Sequence, residues 1–352
     1  METTKILSKL IQIPSLTSDI SACSKILKLS KTILQSNEVK SKLHRIAGRS
    51  LLIWGELDLN KTEWLINSHL DVVPGSKEQF TAGIRGDKFF GRGSADTKSS
   101  CAILLANSKN WDLVAKNRHI TFMLVTDEEI GGESTKKMLS KMPSLHGSIF
   151  LEPTGEKMIV QAKGIMQIKI CAKGKSSHGS RPWEGVSALE LLTSGISSFK
   201  IQHPSPLKET RDTTFNFSQI TSGVAINQIP SEGTLWCDVR WNPKDDPKQI
   251  ITVMQNTFVD CKVEVVKLES PINCPIDCKL RSSFVTTLKS LSINPISGFD
   301  HGSSDARHST SLGIPSIVFG PKGKNLHSDD EWVSVSSIDK VEKVLDHWIK
   351  NI

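Results

Sequence analysis

Short apolar runs alternate with stretches of helical periodicity in the first 160 residues or so, and the same pattern returns near the end of the chain. Predicted strands lie at 63–70, 119–126, 147–152 and 314–320, and predicted helices lie at about 97–110 and 133–141. Strands that alternate with helices are typical of an α/β domain with a mostly parallel sheet. We therefore predict that fold class for this part of the chain.

The order of elements changes between residues 164 and 270. This stretch reads as strand, helix, two strands, helix, strand, which is the order of a split βαβ, ferredoxin-like unit. We predict that 164–270 is an α+β domain inserted into the first one. The α/β domain would then consist of 1–163 and 271–352.

Composition narrows the class of protein. The 352 residues, 38% of them hydrophobic, can fill one large core or two ordinary ones. The net charge is +7, but Lys and Arg are dispersed and form no run of five or six, so nucleic acid is not an expected partner. The sequence has no apolar run near the roughly 20 residues that cross a membrane. The start METTKILSKL also lacks the pattern of a signal peptide, and we expect a cytoplasmic protein without a membrane partner.

The seven cysteines are odd in number and mostly scattered. Reduced thiols in a cytoplasm fit this distribution better than a disulfide framework does. Cys274 and Cys278 lie close together, but no second pair is near them in the sequence. A structural zinc site is therefore not expected there.

Polar residues with metal-binding chemistry follow the predicted strands. They are His69, Asp71, Glu128, Glu129, Glu152 and His327, and Asp96 lies in the loop GRGSADTK ahead of a helix. In an open α/β sheet, ligands bind outside the carboxyl ends of the strands. Imidazole nitrogens and carboxylate oxygens are ligands of zinc, and a carboxylate can bridge two ions. The sequence therefore predicts a metal centre at this edge of the sheet.

Each of these motifs has an ordinary alternative when taken alone. His69 could be a satisfied histidine at a strand end, and the acidic run at 127–129 could be a solvated turn. GRGSAD lacks the third glycine of a dinucleotide loop and the Gly-Lys-Ser/Thr ending of a phosphate loop. Their coincidence at the strand ends of one domain favours the metal centre.

Nearly the whole chain resembles one zinc-dependent family. That family contains succinyl-diaminopimelate desuccinylase, acetylornithine deacetylase, aminoacylase and glutamate carboxypeptidase. The stretches that carry the resemblance are LIQIPSLTSD (10–19), SHLDVVPG (68–75), GRGSADTK (91–98), TDEEIGG (126–132), LEPTG (151–155), AKGKSSHGSRP (172–182), NQIPSEGTLWCDVR (227–240), GSSDAR (302–307) and FGPKGKNLHSDDEW (319–332).

The resemblance implies a set of metal ligands. One zinc ion would be held by His69, Asp96 and Glu152, and a second by Asp96, Glu129 and His327. Asp96 would bridge the two ions. Co²⁺ or Mn²⁺ could take the place of zinc.

The resemblance also implies the roles of two carboxylates that are not ligands. Asp71 would accept a hydrogen bond from the far nitrogen of His69 and so fix its tautomer. Glu128 would take the proton of a water molecule that bridges the metals and pass it to the departing amine. We therefore expect hydrolysis of a linear amide without a covalent intermediate.

For the inserted domain, the resemblance implies dimerisation and closure over the site. His178 of one subunit of a homodimer would donate to the oxyanion in the other subunit. Arg240, with Asn227 beside it and the backbone of Gly302 and Ser303, would bind the substrate carboxylate. From the residues alone, an ion pair between Arg240 and a nearby Asp or Glu is an equal alternative.

The expected reaction is removal of a succinyl or acetyl group from an amino acid, as in lysine, diaminopimelate or arginine biosynthesis. Glu at 152, rather than Asp, is the form found in the desuccinylase and deacetylase members. Arg181 stands where desuccinylases usually have Tyr, and Lys163 where they tend to have Arg, so the acyl group stays open. A metallo-dipeptidase or carboxypeptidase of the same family is the alternative. A non-catalytic binding protein would have no need of Glu128 beside Glu129.

Overall fold

The computed structural model describes residues 2–352. Its contacts divide the chain into two compact units. Unit 1 comprises the chain up to Gln161 together with Asn273–Phe299 and Ser304–Ile352, and unit 2 comprises Ala162–Ile272 and Asp300–Ser303. Each unit has its own hydrophobic core.

The α-helices of the described chain are α1 (Glu2–Ile11), α2 (Ile20–Ser36), α3 (Ser99–Ala106), α4 (Ser108–Asn117), α5 (Glu133–Leu139), α6 (Ala188–Gln202), α7 (Pro247–Thr257), α8 (Lys279–Ser290), α9 (Ala306–Ser311) and α10 (Val335–Asn351). Within residues 2–352, no helix is both long and apolar enough to cross a membrane. The helix predicted at 97–110 is in fact two helices, because α3 ends at Ala106 and α4 begins at Ser108. Between them, the side-chain amide of Asn107 donates to the carbonyl of Ile103 at 3.1 Å, a local bond of the kind that competes with a continuous helix.

Several helices begin at residues whose side chains cap the first turn. Ser187 accepts from the backbone N–H of the residue three positions on at the start of α6, and Ser334 does the same for α10. Asp246 caps α7, where Pro247 occupies the first helical position. Ser and Asp are favoured at these positions because they satisfy N–H groups that have no partner inside the helix.

The strands are β1 (Ser41–Ile46), β2 (Arg49–Gly55), β3 (Trp64–His69), β4 (Gly83–Arg85), β5 (Lys88–Phe90), β6 (Ile120–Val125), β7 (Gly147–Phe150), β8 (Met158–Ala162), β9 (Gly164–Lys173), β10 (Thr214–Ser222), β11 (Glu232–Trp241), β12 (Cys261–Glu269), β13 (Ile272–Asn273), β14 (Ser297–Asp300), β15 (Ser316–Val318), β16 (Gly323–Lys324) and β17 (Trp332–Ser334).

The central sheet has the order β1-β2-β6-β3-β7-β15-β8-β13, and β14 pairs with β8. Its four middle strands, β6, β3, β7 and β15, run parallel, while β1 and β2 pair antiparallel at one edge. Every residue of β3, β6 and β7 is buried, as expected for parallel strands covered on both faces. The predicted α/β class with a mostly parallel central sheet is confirmed.

The parallel direction of the middle strands decides where the polar residues meet. His69 ends β3, the segment 127–129 follows β6, and Glu152 follows β7 by two residues. Because neighbouring parallel strands end at the same edge of the sheet, these side chains converge there.

The last helix is anchored in the main core. The Trp348 ring on α10 packs edge-on against the Trp64 ring of β3, with ring centroids 5.7 Å apart. Its indole N–H donates to the Ser283 hydroxyl at 3.0 Å. The C-terminal helix is therefore part of the core of unit 1.

A second small sheet, of order β16-β17-β5-β4, joins two distant parts of the chain. Trp332 on β17 pairs with Phe90 on β5. This pairing brings the residues just before β17 next to the residues just after β5. The loop that carries Asp96 begins there.

Unit 2 contains an antiparallel sheet of order β10-β11-β9-β12 and the helices α6 and α7. Buried and partly exposed positions alternate along β9 and β11, as expected for a sheet with one face in the core. The elements follow the predicted order of strand, helix, two strands, helix, strand.

We predict that Gly195→Ala in α6 destabilises the protein, although alanine is the better helix former by about 1 kcal/mol. A Cβ at this position would lie 2.3 Å from two carbons of the buried Phe258 ring. Overpacking of this kind costs about 1–3 kcal/mol. Thermal unfolding should show a lower Tm, whereas Ser198→Ala on the exposed side of the same helix should leave Tm unchanged or slightly raised. An equal rise in both variants would contradict the close packing of α6.

Candidate metal centre

Two groups of His, Asp and Glu side chains meet at the carboxyl edge of the parallel strands. His69 Nε2 lies 3.1 Å from Asp96 Oδ1 and 3.6 Å from Glu152 Oε2. His327 Nε2 lies 3.1 Å from Asp96 Oδ2 and 3.4 Å from Glu129 Oε2. Asp96 thus belongs to both groups and turns one carboxylate oxygen toward each histidine. In each group the three potential ligand atoms lie within 4.8 Å of one another.

These separations fit a divalent metal ion. Around a tetrahedral zinc ion, ligand atoms lie roughly 3.3–3.4 Å apart, since the bonds are about 2.0–2.1 Å long. The measured nitrogen–oxygen distances run from 3.1 to 3.6 Å. The donors are imidazole nitrogens and carboxylate oxygens, the usual ligands of such ions.

The electrostatics of the cluster also favour a bound cation. Burial raises the pKa of Glu129 and of Glu152 to about 7, and the negative charge of Asp96 acts in the same direction. Burial would also raise the pKa of Asp96, but hydrogen bonds with His327 and His69 outweigh it and hold that pKa below its usual range. Carboxylates crowded in this way repel one another unless protons or cations compensate their charge.

His69 is oriented chiefly by a main-chain carbonyl. Its Nδ1 lies 3.0 Å from the carbonyl oxygen of Asp71 and 3.5 Å from carboxylate oxygen Oδ1 of the same residue. The His-x-Asp pattern predicted the Asp71 carboxylate as the partner of His69, but the main-chain carbonyl of Asp71 makes the shorter contact.

The Asp71 carboxylate holds the turn that follows β6. It accepts from the Thr17 hydroxyl at 2.8 Å and from the backbone N–H groups of Glu129 at 3.2 Å and Glu128 at 3.4 Å. It therefore fixes the backbone of a candidate ligand and of the candidate base.

Glu128 is partly buried next to this charge cluster. Burial raises its pKa well above the usual range, Asp305, Glu152 and Asp96 act in the same direction, and His69 opposes them. A carboxylate with a raised pKa is a stronger base than an ordinary one. Glu128 is therefore the candidate for a proton-transfer role beside the ligand groups.

The glycines after Glu129 are held by the segment 305–308. Arg307 Nη2 donates to the carbonyl of Gly131 at 2.7 Å, and His308 Nε2 donates to the same oxygen at 2.9 Å. Gly132 has φ 63°, and a Cβ on it would lie 1.7 Å from Asp305 Oδ1. No larger residue fits at 132 without displacing Asp305.

Some residues that shape this centre were not predicted from the sequence. Thr17 contacts Asp71 from a distant part of the chain, and Glu331 accepts hydrogen bonds from the backbone that carries Asp96. Nothing local distinguishes Glu331 from its acidic neighbours at 329 and 330. Its place in the matched stretch 319–332 was the available signal.

His178 and Asn227 lie in unit 2, which contains none of the candidate metal ligands. Both are exposed. The N–H of Gly179 donates to the carbonyl of Asn227 at 2.7 Å, and the Ser180 hydroxyl lies 2.8 Å from His178 Nδ1. The structure therefore brings these two candidates together on one exposed pair of loops.

Arg240 lines a cavity of about 280 Å³ in unit 2, together with Lys163, Lys208 and His301. Its Nε donates to Asp238 at 2.8 Å, so the ion pair considered as an alternative from the sequence is present. Lys163 is only 3% exposed. Burial lowers the pKa of its ammonium group, the negative charge of Asp212 opposes this shift, and the residue lines the cavity.

The remaining two candidates, Gly302 and Ser303, are also grouped with unit 2. The N–H of Gly302 donates to Asp300 Oδ1 at 2.8 Å and is thus already engaged. The Ser303 hydroxyl is buried and has no hydrogen-bond partner among residues 2–352. The structure therefore leaves the Ser303 hydroxyl, and not the N–H of Gly302, without a partner in the described chain.

The sequence matches one protein family and several proteins with related names. The model of Peptidase family M20/M25/M40 matches residues 65–351. A LysW-lysine/LysW-ornithine hydrolase from Sulfurisphaera tokodaii is 25% identical, covering 80% of this chain and 78% of its own. A protein named probable succinyl-diaminopimelate desuccinylase from Staphylococcus aureus strain N315 is 24% identical and covers 86% of each chain.

The fold has solved counterparts. A tripeptidase from Staphylococcus aureus subsp. aureus Mu50 superposes with a TM-score of 0.79 over 99% of this chain and 97% of its own, at 21% identity. At this identity the likeness concerns the fold.

We predict that Asp71→Asn lowers metal affinity by about 10- to 100-fold. This is the range for substitution of a residue that is hydrogen-bonded to a metal ligand. In either orientation of the amide, its nitrogen would face a backbone N–H, that of Glu128 or that of Glu129, and it cannot accept a hydrogen bond. Competition with a chromophoric chelator for Co²⁺ measures the change. Thr17→Val, which leaves the carboxylate and its backbone bonds in place, should lose less. Unchanged affinity in Asp71→Asn would show that the turn does not depend on this carboxylate.

Proposed function

Because the chain belongs to peptidase family M20/M25/M40 and is a metal-dependent hydrolase of amide bonds, we propose that it removes a succinyl or acetyl group from an amino acid. The observation that carries this proposal is the pair of ligand groups that share Asp96 beside a base with a raised pKa. The names of the relatives, a desuccinylase and a hydrolase of LysW-bound amino acids, support an N-acylated amino acid as the substrate.

We propose zinc as the metal, with Co²⁺ or Mn²⁺ as possible substitutes. One ion would be held by His69, Asp96 and Glu152, and the other by Asp96, Glu129 and His327. When bound, the ions would make a water molecule more acidic and polarise the amide carbonyl. The distances between the ligand atoms support this arrangement.

In this proposal, Glu128 moves the proton. Its carboxylate accepts a proton from the attacking water, holds it, and delivers it to the departing amine nitrogen. The raised pKa of Glu128 supports the first step, because it makes the carboxylate a stronger base. Asp71, through the backbone N–H groups of Glu128 and Glu129, keeps the base beside the ligands.

Substrate carboxylates are proposed to bind in the cavity of unit 2. A lysine whose side chain is largely buried is stabilised by an anion near its ammonium group. Lys163 supplies that group, and Arg240 keeps terminal nitrogens beyond the Nε that bonds Asp238. Asn227, the Ser303 hydroxyl and the backbone at Gly302 are proposed as further contacts with the substrate.

We also propose that the segment 164–270 acts as a lid and dimerisation domain, and that 1–163 and 271–352 form the catalytic domain. His178 of one subunit would donate to the oxyanion in the other subunit. Unit 2 carries exposed apolar side chains, with Trp183 77% exposed and Val224 95% exposed. Strand β10 also stands at the edge of its sheet. Exposed apolar patches and free strand edges are typical of surfaces that another protein covers, here a second copy of this chain.

A metallo-dipeptidase or carboxypeptidase could use the same centre, because the bond broken is again an amide. The difference lies in the pocket and not in the metal ligands. One substrate panel separates the two reactions.

We predict that Glu128→Gln lowers kcat by about 10²- to 10⁴-fold, the usual contribution of general acid–base catalysis. The test measures release of free amino acid from N-succinyl and N-acetyl amino acids and from dipeptides, with zinc and with chelator. Glu133→Gln is the matched control, since Glu133 lies nearby but is exposed and pairs with Lys137. It should keep full activity.

Each outcome of this panel is informative. Chelator-sensitive release from acylated amino acids, lost in Glu128→Gln, would support the deacylase and identify the acyl group. Cleavage of dipeptides alone would move the protein to the peptidase alternative. Full activity in Glu128→Gln would reject this residue as the base.

We predict that substitution of different candidate ligands lowers the number of bound metal ions to different extents. Elemental analysis after gel filtration should find two ions per chain in the parent and one in His327→Ala, because His327 belongs to one ligand group. Asp96→Asn should retain less than His327→Ala, because Asp96 belongs to both. Two ions retained in Asp96→Asn would contradict the shared ligand.

A further inference from the structure

Glu331 is a buried carboxylate whose hydrogen-bonding capacity is filled by one loop. It is 1% exposed. Its Oε1 accepts from the backbone N–H groups of Ala95 at 3.0 Å and Asp96 at 3.1 Å. Its Oε2 accepts from the N–H of Gly93 at 2.9 Å and from Arg92 Nη1 at 2.9 Å. A carboxylate has about four acceptor sites, and four donors meet this one.

The bonded backbone belongs to the segment that presents the shared ligand. Gly93 has φ 78°, and a Cβ there would lie 2.7 Å from Val72, so the loop makes a close turn that only glycine fits. Three N–H groups that converge on one anion form a rigid concave arrangement. With its backbone fixed in this way, Asp96 is presented to both histidines.

Arg92 extends the same contact to two other segments. Its Nη2 donates to the carbonyl of Pro74 at 3.1 Å, and its Nη1 donates to the carbonyl of Ser328 at 3.2 Å. Pro74 follows the segment of His69 and Asp71, and Ser328 follows His327. The Arg92–Glu331 pair is thus bonded to the backbone of all three segments that carry these residues.

The segment of His327 has particular need of such support. His327 is 52% exposed at its side chain and has φ 60°, a left-handed conformation that residues other than glycine rarely adopt. Gln79 also donates to the carbonyl of Ser328, at 2.9 Å. Ser328, the residue after His327, is therefore held by Gln79 and Arg92, which come from distant parts of the chain.

We propose that the Arg92–Glu331 pair is a positioning device for the metal centre, which sets the spacing of Asp96 and His327 without binding the metal. This rests on the proposed function, in which these two residues are ligands. The pair acts through the backbone, so its loss should change metal affinity and coordination geometry and not only the stability of unit 1.

The test uses the full chain with Co²⁺, because the visible spectrum of this ion reports its coordination geometry. In Glu331→Gln, the amide nitrogen must face N–H or guanidinium donors, so part of the contact is lost although the shape is kept. We expect at least about a 10-fold loss of Co²⁺ affinity and an altered spectrum, with folded protein verified by circular dichroism. Glu331→Asp, which keeps the charge, should recover part of the affinity.

Asp346→Asn is the matched control. Asp346 also lies in unit 1 and accepts from Trp111 Nε1 at 2.9 Å and from Lys350 Nζ at 2.7 Å. These bonds support α10 and touch no ligand segment. Whatever its stability, the folded variant should match the parent in Co²⁺ affinity and spectrum.

Arg92→Lys provides a second route if Glu331→Gln does not fold. Lysine keeps the charge opposite Glu331 but lacks the fork that reaches the carbonyls of Pro74 and Ser328 together. It should also lose Co²⁺ affinity. Parent-like affinity and spectrum in folded Glu331→Gln, or in Arg92→Lys if the first variant is unfolded, would overturn the proposal. Failure of the parent itself to bind two Co²⁺ ions would instead reject the proposed metal centre.

Discussion

Negative charge buried at one edge of a parallel sheet is the constraint on which the site depends. Five carboxylates around the site fall into two groups. Asp71 and Glu331 are surrounded by backbone N–H groups, which compensate their charge within the protein. Asp96, Glu129 and Glu152 instead face histidines across 3.1–3.6 Å. In the proposed metal centre, the first kind builds the frame and the second kind binds the cation.

Much of this arrangement follows from local patterns. Continuous apolar runs identify β3, β6 and β7 because parallel strands in the middle of a sheet are buried on both faces. Because these strands run parallel, their carboxyl ends lie at one edge of the sheet, and His69 and Glu152 meet there. The candidate ligands at these strand ends were accessible for the same reason, whereas their division into two groups came from the family resemblance. The inserted domain was recognised from its own order of elements. The family match agrees with the motifs that predicted it.

Other features depend on contacts that no local pattern reveals. The antiparallel strands β1 and β2 were not predicted, although β2 is largely buried against β6. The His-x-Asp pattern placed Asp71 beside His69, but not its bonds to the turn after β6. Glu331 is joined to Asp96 by a contact across 235 positions. Such pairings are set by how the whole of unit 1 packs, and sequence spacing carries little information about them.

The discontinuity of unit 1 has a consequence for biosynthesis. Asp96, Glu129 and Glu152 lie in the first half of the chain, whereas His327 comes just ahead of the last helix. Since chains emerge from the ribosome with the N-terminus first, the nearly continuous unit 2 can fold while the acidic half of the centre still lacks its second imidazole. In the proposed centre, complete metal loading would therefore follow synthesis of almost the whole polypeptide, and a chain truncated before β16 would carry the acidic residues without His327, the second histidine of that centre.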